Sequence, residues 1–427
     1  MDASVNKSMR FKANKAYFGS LIMAAFCLGS YITFSNYWNP LAAKLGVSLG
    51  QISIIISIAS LTSVITALVL GALLKRIKIR LLVSIAAVII IAFFVAISLA
   101  TDIIALYIMA IPFGFATVAA GFPGAQVIMA WWFKKGLGKR MSFLAIGLAL
   151  VIMTLSPTLA ASIEAYSVSQ VALVHGLVAG GVILLCAIFL LAEKPSEYGY
   201  EVPDEKPKQV SEAEAGQIEH TADKTLTVKE ILRTKPFWMI LIGIFVACIA
   251  TTGLGNNSAP FFESLNLSPV EAGICVGALG IATLVWGPVF GVLLDKFGVS
   301  KATTMQGGLL TVVFFAAAFV AGLGFIPALI IAVMLDASAF TGNLGAVAYT
   351  KIYGQKESAS LIGFASTASA SAAMVGTPLA AFIFTATNSY MMFMFFSGIL
   401  VAVCVVLVIL ATRIRIVKPE STPGQEG

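Results

Sequence analysis

The chain has 427 residues, 59% of them hydrophobic and 11% charged, against about 25% charged in ordinary soluble domains. That balance excludes a soluble globular protein, which could not hide so much apolar surface. The formal charge of +7 does not indicate nucleic acid, because the basic residues fall in short loops between apolar runs rather than on one polar face.

The chain opens on MDASVNKSMRFKANK, which is basic, and the apolar run behind it is too long for a cleaved signal peptide. It is expected to stay as a first membrane span. Apolar runs of about 18 or more residues, each long enough to cross a bilayer as a helix, recur to the end. They predict twelve spans: 17–38, 51–74, 81–100, 103–133, 141–163 and 170–192, then 236–256, 271–294, 302–322, 327–350, 359–385 and 390–412. The span at 103–133 is longer than a bilayer needs. The fold class expected is all-α integral membrane.

Between the sixth and seventh spans lies the long polar run, 193–235, rich in Glu, Lys, Pro and Gln. It cannot bury enough apolar surface to fold alone and reads as a flexible or lightly helical linker. Three segments are therefore expected: an amino-terminal bundle at 1–192, the linker at 193–235, and a carboxy-terminal bundle at 236–427. Lys7, Arg10, Lys12 and Lys15, Lys75 to Arg80, Lys134 to Arg140, the linker, Lys296, Lys301, Lys351, Lys356 and the tail with Arg413 alternate with loops holding Lys44, Asp102, Glu164 and Glu263. The positive-inside rule then places both termini and the linker in the cytoplasm of a plasma-membrane protein. Trp38 is expected at the outer interface, and Trp131, Trp132 and Trp238 at the inner one. Cys27, Cys186, Cys248, Cys275 and Cys404 lie in apolar stretches without CxxC spacing and read as small buried hydrophobes.

A shift of 220 residues aligns the halves without a gap from the first span into the loop after the second. Lys15 meets Lys235, Asn36 meets Asn256, Pro40 meets Pro260, Ser48 meets Ser268, and Gly71 meets Gly291. A six-span unit has been duplicated. The loop after the eighth span reads GVLLDKFGVSK, with Gly291, Asp295, Lys296, Gly298 and Lys301. It resembles the signature loop of the major facilitator superfamily. Gly291 is expected to allow close helix approach, Gly298 a tight turn, and Asp295 a latch at a neighbouring helix end. The first-half copy, GALLKRIKIR with Gly71, Lys75 and Arg76, departs from it by placing Lys75 where Asp295 sits. That leaves an inverted latch, a one-sided latch and a plain basic anchor all open.

KPSEYGYEVPDE after the sixth span, ILRTKPFWMI entering the seventh, and Trp132-Phe133 followed by Lys139-Arg140 resemble the oxalate–formate exchangers and their monocarboxylate-porter relatives. The resemblance implies a secondary transporter of a small organic anion working by alternating access. One departure stands against it. Carboxylate carriers of that neighbourhood often place a buried basic residue in the eighth span, and here the stretch reads LVWGPVFG. Helix dipoles, Asn amides and hydroxyls would have to hold the anion, which suits a monoanion better than a dianion.

Asp336 lies about nine residues into the tenth span, roughly 13 Å deep at 1.5 Å per residue. A carboxyl at that depth is costly and marks function by default. It suits proton coupling, a counter-charge for a cationic substrate, or a neutral hydrogen bond that is purely structural. Asn343 shares its face, whereas Thr341 lies on another. The resemblance adds Tyr31, Asn36, Thr117, Gln126, Thr251, Asn256 and Asn257 as candidates along the central path, each equally readable as interhelical glue. His175, at the start of the sixth span, is expected to be wetted. Pro112, Pro123, Pro157, Pro288 and Pro378 fall inside spans and can kink them. No Walker loop, metal cluster or catalytic constellation is present, so neither an enzyme nor a cofactor is expected. The expected partners are a small-molecule substrate, the lipid bilayer and protons, for a chain that works as a monomer. Efflux of an amphipathic or cationic compound, and a receptor or scaffold that transports nothing, are the alternatives.

Overall fold

The helices begin where the sequence supplies caps. Ser48, Ser167 and Ser268 each accept a hydrogen bond from the backbone of Gln51, Gln170 and Glu271, whose side chains return the bond to the cap. Two orphan donors are satisfied at each start. Asp102 caps a fourth helix through the Ile104 N–H at 2.7 Å. In this computed structural model, residues 3–133, 137–198, 228–320, 322–335 and 358–414 are described, with the pairs 344–345, 348–349 and 352–353.

In chain order the helices are α1 (Ala3–Thr33), α2 (Trp38–Leu45), α3 (Leu49–Arg76), α4 (Ile79–Leu99), α5 (Ile103–Ala119), α6 (Phe122–Trp132), α7 (Leu137–Ala165) and α8 (Val168–Leu185). After the linker come α9 (Val228–Ile231), α10 (Lys235–Asn256), α11 (Ser258–Glu263), α12 (Pro269–Ala317), α13 (Phe325–Met334), α14 (Ser358–Thr387) and α15 (Met391–Arg413). This is an all-α integral membrane fold. Among the described residues, ten helices are long and apolar enough to cross a bilayer. The ninth predicted span is the part of α12 beyond Gly298, and the start of the tenth is α13. Leu68, Leu99, Ile104, Phe189, Val312 and Met392 are all more than half exposed. Such a surface is untenable in water but costs nothing against lipid.

The structure corrects several boundaries. The fourth span is two helices broken at Ala120-Gly121, because Pro123 has no N–H for the Ala119 carbonyl and instead starts α6 in its first turn. The first span is interrupted by a 3-10 turn at Phe34–Tyr37 before α2. The eighth and ninth spans run as one helix broken only at Gly298, whose φ of 76° and ψ of 171° favour glycine.

Three side chains expected at the water interface are buried instead. Trp38 is fully buried against Phe34. His175 is buried between Tyr37, 3.0 Å from Nδ1, and Ser30, 3.0 Å from Nε2, with Phe94 against its ring. Tyr37, in the 3-10 turn that breaks the first span, stacks on His175, and Trp38 begins α2 directly after it. Trp132 is buried too, whereas Trp238 is half exposed and donates to the Leu232 carbonyl. All five cysteines are buried, and none forms a disulfide.

Buried apolar side chains form two clusters, one drawn from 16–192 with Ala381, the other from 231–411 with Ile152. The two strays mark where the clusters meet, α3 against α14 and α7 against α12. Gly273, Gly277 and Gly280 make the second contact tight. A Cβ on any of them would fall 2.8 to 3.1 Å from Ala160, the Met153 carbonyl or the Ala149 carbonyl. Backbones can approach this closely only where side chains are absent. At the linker edges, Tyr198 packs under Lys12 and beside Trp132, and Ile231 is buried.

Candidate functional site

A cavity of about 410 Å³ lies between the two clusters. Its polar lining comes from Tyr31 on α1, Ser63 on α3, Thr117 on α5, and Ser366 and Thr367 on α14. Local helix chemistry aims these groups. Ser63 donates to a carbonyl of its own helix, Ala59, and lies 2.9 Å from the Gly114 carbonyl and 2.8 Å from the Thr117 hydroxyl. Tyr31 stacks on Phe113 and brings its hydroxyl 3.4 Å from Ser60 and up to Asn256. Asn256 in turn donates to the Thr377 hydroxyl at 2.8 Å. Hydroxyls and one amide thus converge from both clusters. Among the described residues, no Lys, Arg or His lines the cavity. Such a site offers neutral hydrogen bonds in an apolar wall.

Of the residues singled out from the sequence, Tyr31 and Thr117 line this cavity and Asn256 adjoins it. Asn36 is buried and donates to the Thr33 carbonyl and the Ser156 hydroxyl, both at 3.0 Å. Asn257 is buried and donates to the Gly253 and Thr377 carbonyls while accepting from Tyr390. Both hold helices together. Thr251 is buried away from the lining, and Gln126 is exposed on α6. Asp336, Thr341 and Asn343 lie outside the described residues. Ser60, Ser63, Ser366, Thr367 and Thr377 were not singled out. The run STASAS at 366–371 was the available signal, and it is indistinguishable in sequence from small-residue helix packing.

The two ends of the cavity differ. At the end bearing Asp102, Glu164 and Glu263 the clusters touch. Ser35 lies 3.3 Å from Ser258, Asn39 donates to a Glu263 carboxylate oxygen at 2.5 Å, and the Gly50 N–H donates to Thr385 at 3.3 Å. At the basic end the described residues leave more open space. Gly71, Gly291 and Gly363 have no atom within 4 Å of where a Cβ would stand. The close approach expected at Gly291 is therefore absent in this conformation. Lys75, Arg76, Lys296 and Lys301 are exposed, and the Asp295 side chain lies outside the described residues. The first-half loop is instead tied by Glu193, which accepts from the Ile79 and Arg80 N–H groups at the start of α4. The Arg80 side chain donates back to the Leu191 carbonyl at 2.6 Å.

Solved structures of the same shape include the nucleoside transporter NupG, with a TM-score of 0.67 at 12% identity over 95% of this chain and 100% of that one. A bacterial homologue of the human lysosomal transporter Spinster, inward-facing and unoccupied, scores 0.68 at 14% identity over 94% and 97%. An oxalate:formate antiporter of Oxalobacter formigenes is 25% identical over 380 residues, 87% of this chain and 85% of its own. The uncharacterized MFS-type transporter YhjX of Escherichia coli (strain K12) is 24% identical over 288 residues, 66% and 67% of the two chains. The family description of the Major Facilitator Superfamily matches residues 19–351. With most of its length matched, this multi-pass membrane chain belongs to the major facilitator superfamily of transporters.

Proposed function

We propose that this transporter carries a small organic monoanion, formate-like in size, by alternating access. The observation that carries the reading is the cavity lined by Tyr31, Ser63, Thr117, Ser366 and Thr367 without a described cation. Hydroxyl and amide donors can hold one negative charge; a dianion would need a cation to offset its desolvation. The 25% identity to an oxalate:formate antiporter favours exchange of one carboxylate for another. Residues 1–192 and 236–427 would rock about the cavity, with 193–235 as tether. The basic end, open here, would face the cytoplasm from the plasma membrane, and one chain would suffice. Asp336, with Asn343 and Thr341 beside it in sequence, is the candidate for proton coupling.

The test is exchange in proteoliposomes. Vesicles preloaded with formate and diluted into labelled formate should accumulate label, and oxalate should compete poorly. An imposed pH gradient separates obligate exchange from proton coupling, and coupling through Asp336 should vanish in Asp336→Asn. Accumulation of organic cations with no carboxylate flux sinks the anion reading.

A further inference from the structure

The closed end holds a carboxyl that the transport reading does not use. Glu263 ends α11, beyond the span of α10, and reaches across the boundary between the clusters to accept from Asn39 on α2. Two groups act on it from the first half, the Asn39 amide and the Glu164 carboxylate at the end of α7. From its own half, Tyr390 stands behind it, with its hydroxyl committed to the Asn257 side chain. Lys44, a cation of this end, donates to the Ile97 and Ser98 carbonyls and to Ser169. Closing this end therefore desolvates one carboxyl, sets it against a second of like charge, and supplies one neutral donor.

We propose that Glu263 is a proton-binding site that governs closure of the acidic end: with the proton bound, the two halves close there; without it, they part. With the proton on, an oxygen still accepts from Asn39, and the charge facing Glu164 is gone. Without it, closure leaves a half-buried carboxylate with one neutral donor, and the exposed Glu164 charge adds to its cost. Burial holds the Glu263 carboxyl above the usual carboxylate range, against the Asn39 hydrogen bond and with the Glu164 charge adding to the rise. The sign follows. The closed form keeps its proton to a higher pH than a form in which Glu263 is solvated. Closure at this end is thus favoured fully below the ordinary carboxylate range and loses that advantage as pH rises through the raised value. The inference rests on the alternating-access reading above, but its test needs no substrate.

Spin labels on Ala43→Cys and Ala386→Cys, both exposed at this end, report the gap between halves by double electron–electron resonance. The native cysteines are all buried. Between about pH 8 and about pH 5, a window that spans raised carboxyl values, the short-distance population should grow as pH falls. In Glu263→Gln it should stay at its acid level throughout. In Glu164→Gln the midpoint should move to lower pH. A distribution in the otherwise wild-type protein that ignores pH, or a Glu263→Gln protein that titrates like it, overturns the proposal. The first arm requires no change at Glu263, so a variant that misfolds does not spare the idea. Absence of carboxylate exchange in vesicles would sink the substrate reading and leave these distances untouched.

Discussion

The two halves of the chain reuse one frame for different work. Ser48 and Ser268, 220 residues apart, start their helices with the same reciprocal cap. Gly46 and Asn266, equally spaced, both sit at a φ of 65° just before those caps. They are the two residue types that enter the left-handed region most readily. The first span of each half breaks at the same register, at Phe34–Tyr37 and at Asn257. Yet Asn36 is buried on Ser156, while its counterpart Asn256 is half-buried and reaches Tyr31 and Thr377. The loops after the second and eighth spans diverge further. Gly298 turns one with a positive φ, whereas Lys78 turns the other from an ordinary extended conformation and Glu193 caps the helix that follows. Duplication preserved the joints and caps, which every helix end needs, and released the side chains facing the cavity and the loops.

The contact between halves is the place to break this comparison hardest. Gly280→Leu puts a side chain where a Cβ alone would lie 2.8 Å from the Ala149 carbonyl. Overpacking of this kind costs about 1–3 kcal/mol, which should shift the closed population at the acidic end by roughly 5- to 150-fold. Spin-label distances across that end should lengthen and exchange should fall. Gly181→Leu, with nothing within 4 Å, should leave both unchanged.

The asparagine pair sharpens the functional difference. Asn36→Ala strands a buried Ser156 hydroxyl and the Thr33 carbonyl and should destabilise by about 1–3 kcal/mol, read as a lower melting temperature in detergent. Asn256→Ala should cost less stability and act on transport instead, raising the concentration of formate needed for half-maximal exchange. Equal thermal losses with equal transport would show that the two positions have not diverged.

The smallest effects test what was conserved between the halves. Ser48→Ala and Ser268→Ala should each cost about 1 kcal/mol, and the two losses should match, because the caps are built alike. A cap that mattered in one half only, by thermal melting of each variant, would mean that the shared geometry is incidental.

Much of this was legible along the chain. The apolar runs, the polar stretch at 193–235 and the 220-residue repeat pointed to a duplicated helical carrier, because a bilayer leaves a helix little alternative to its length and composition. Pro123 was legible as a disturbance, but not that it would end one helix and begin another. The site was less legible. Tyr31 and Thr117 stood on spans expected to line a path, while Ser63, Ser366 and Thr367 looked like packing, and His175 looked wetted although two helices enclose it.

What the sequence by itself determined was therefore local and periodic: which segments enter the membrane, where they are capped, and that the second half repeats the first. Only the tertiary structure decided that Asn36 and Asn257 tie helices while Asn256 adjoins the cavity, that α12 packs on α7 through three glycines, and that Glu263 meets Asn39 and feels Glu164. The physical reason is that in an apolar chain a Ser, Thr, Asn or Glu gains most where it finds a partner or a wet cavity. Which of these it finds depends on helices more than a hundred residues away, whose rotation no local spacing encodes.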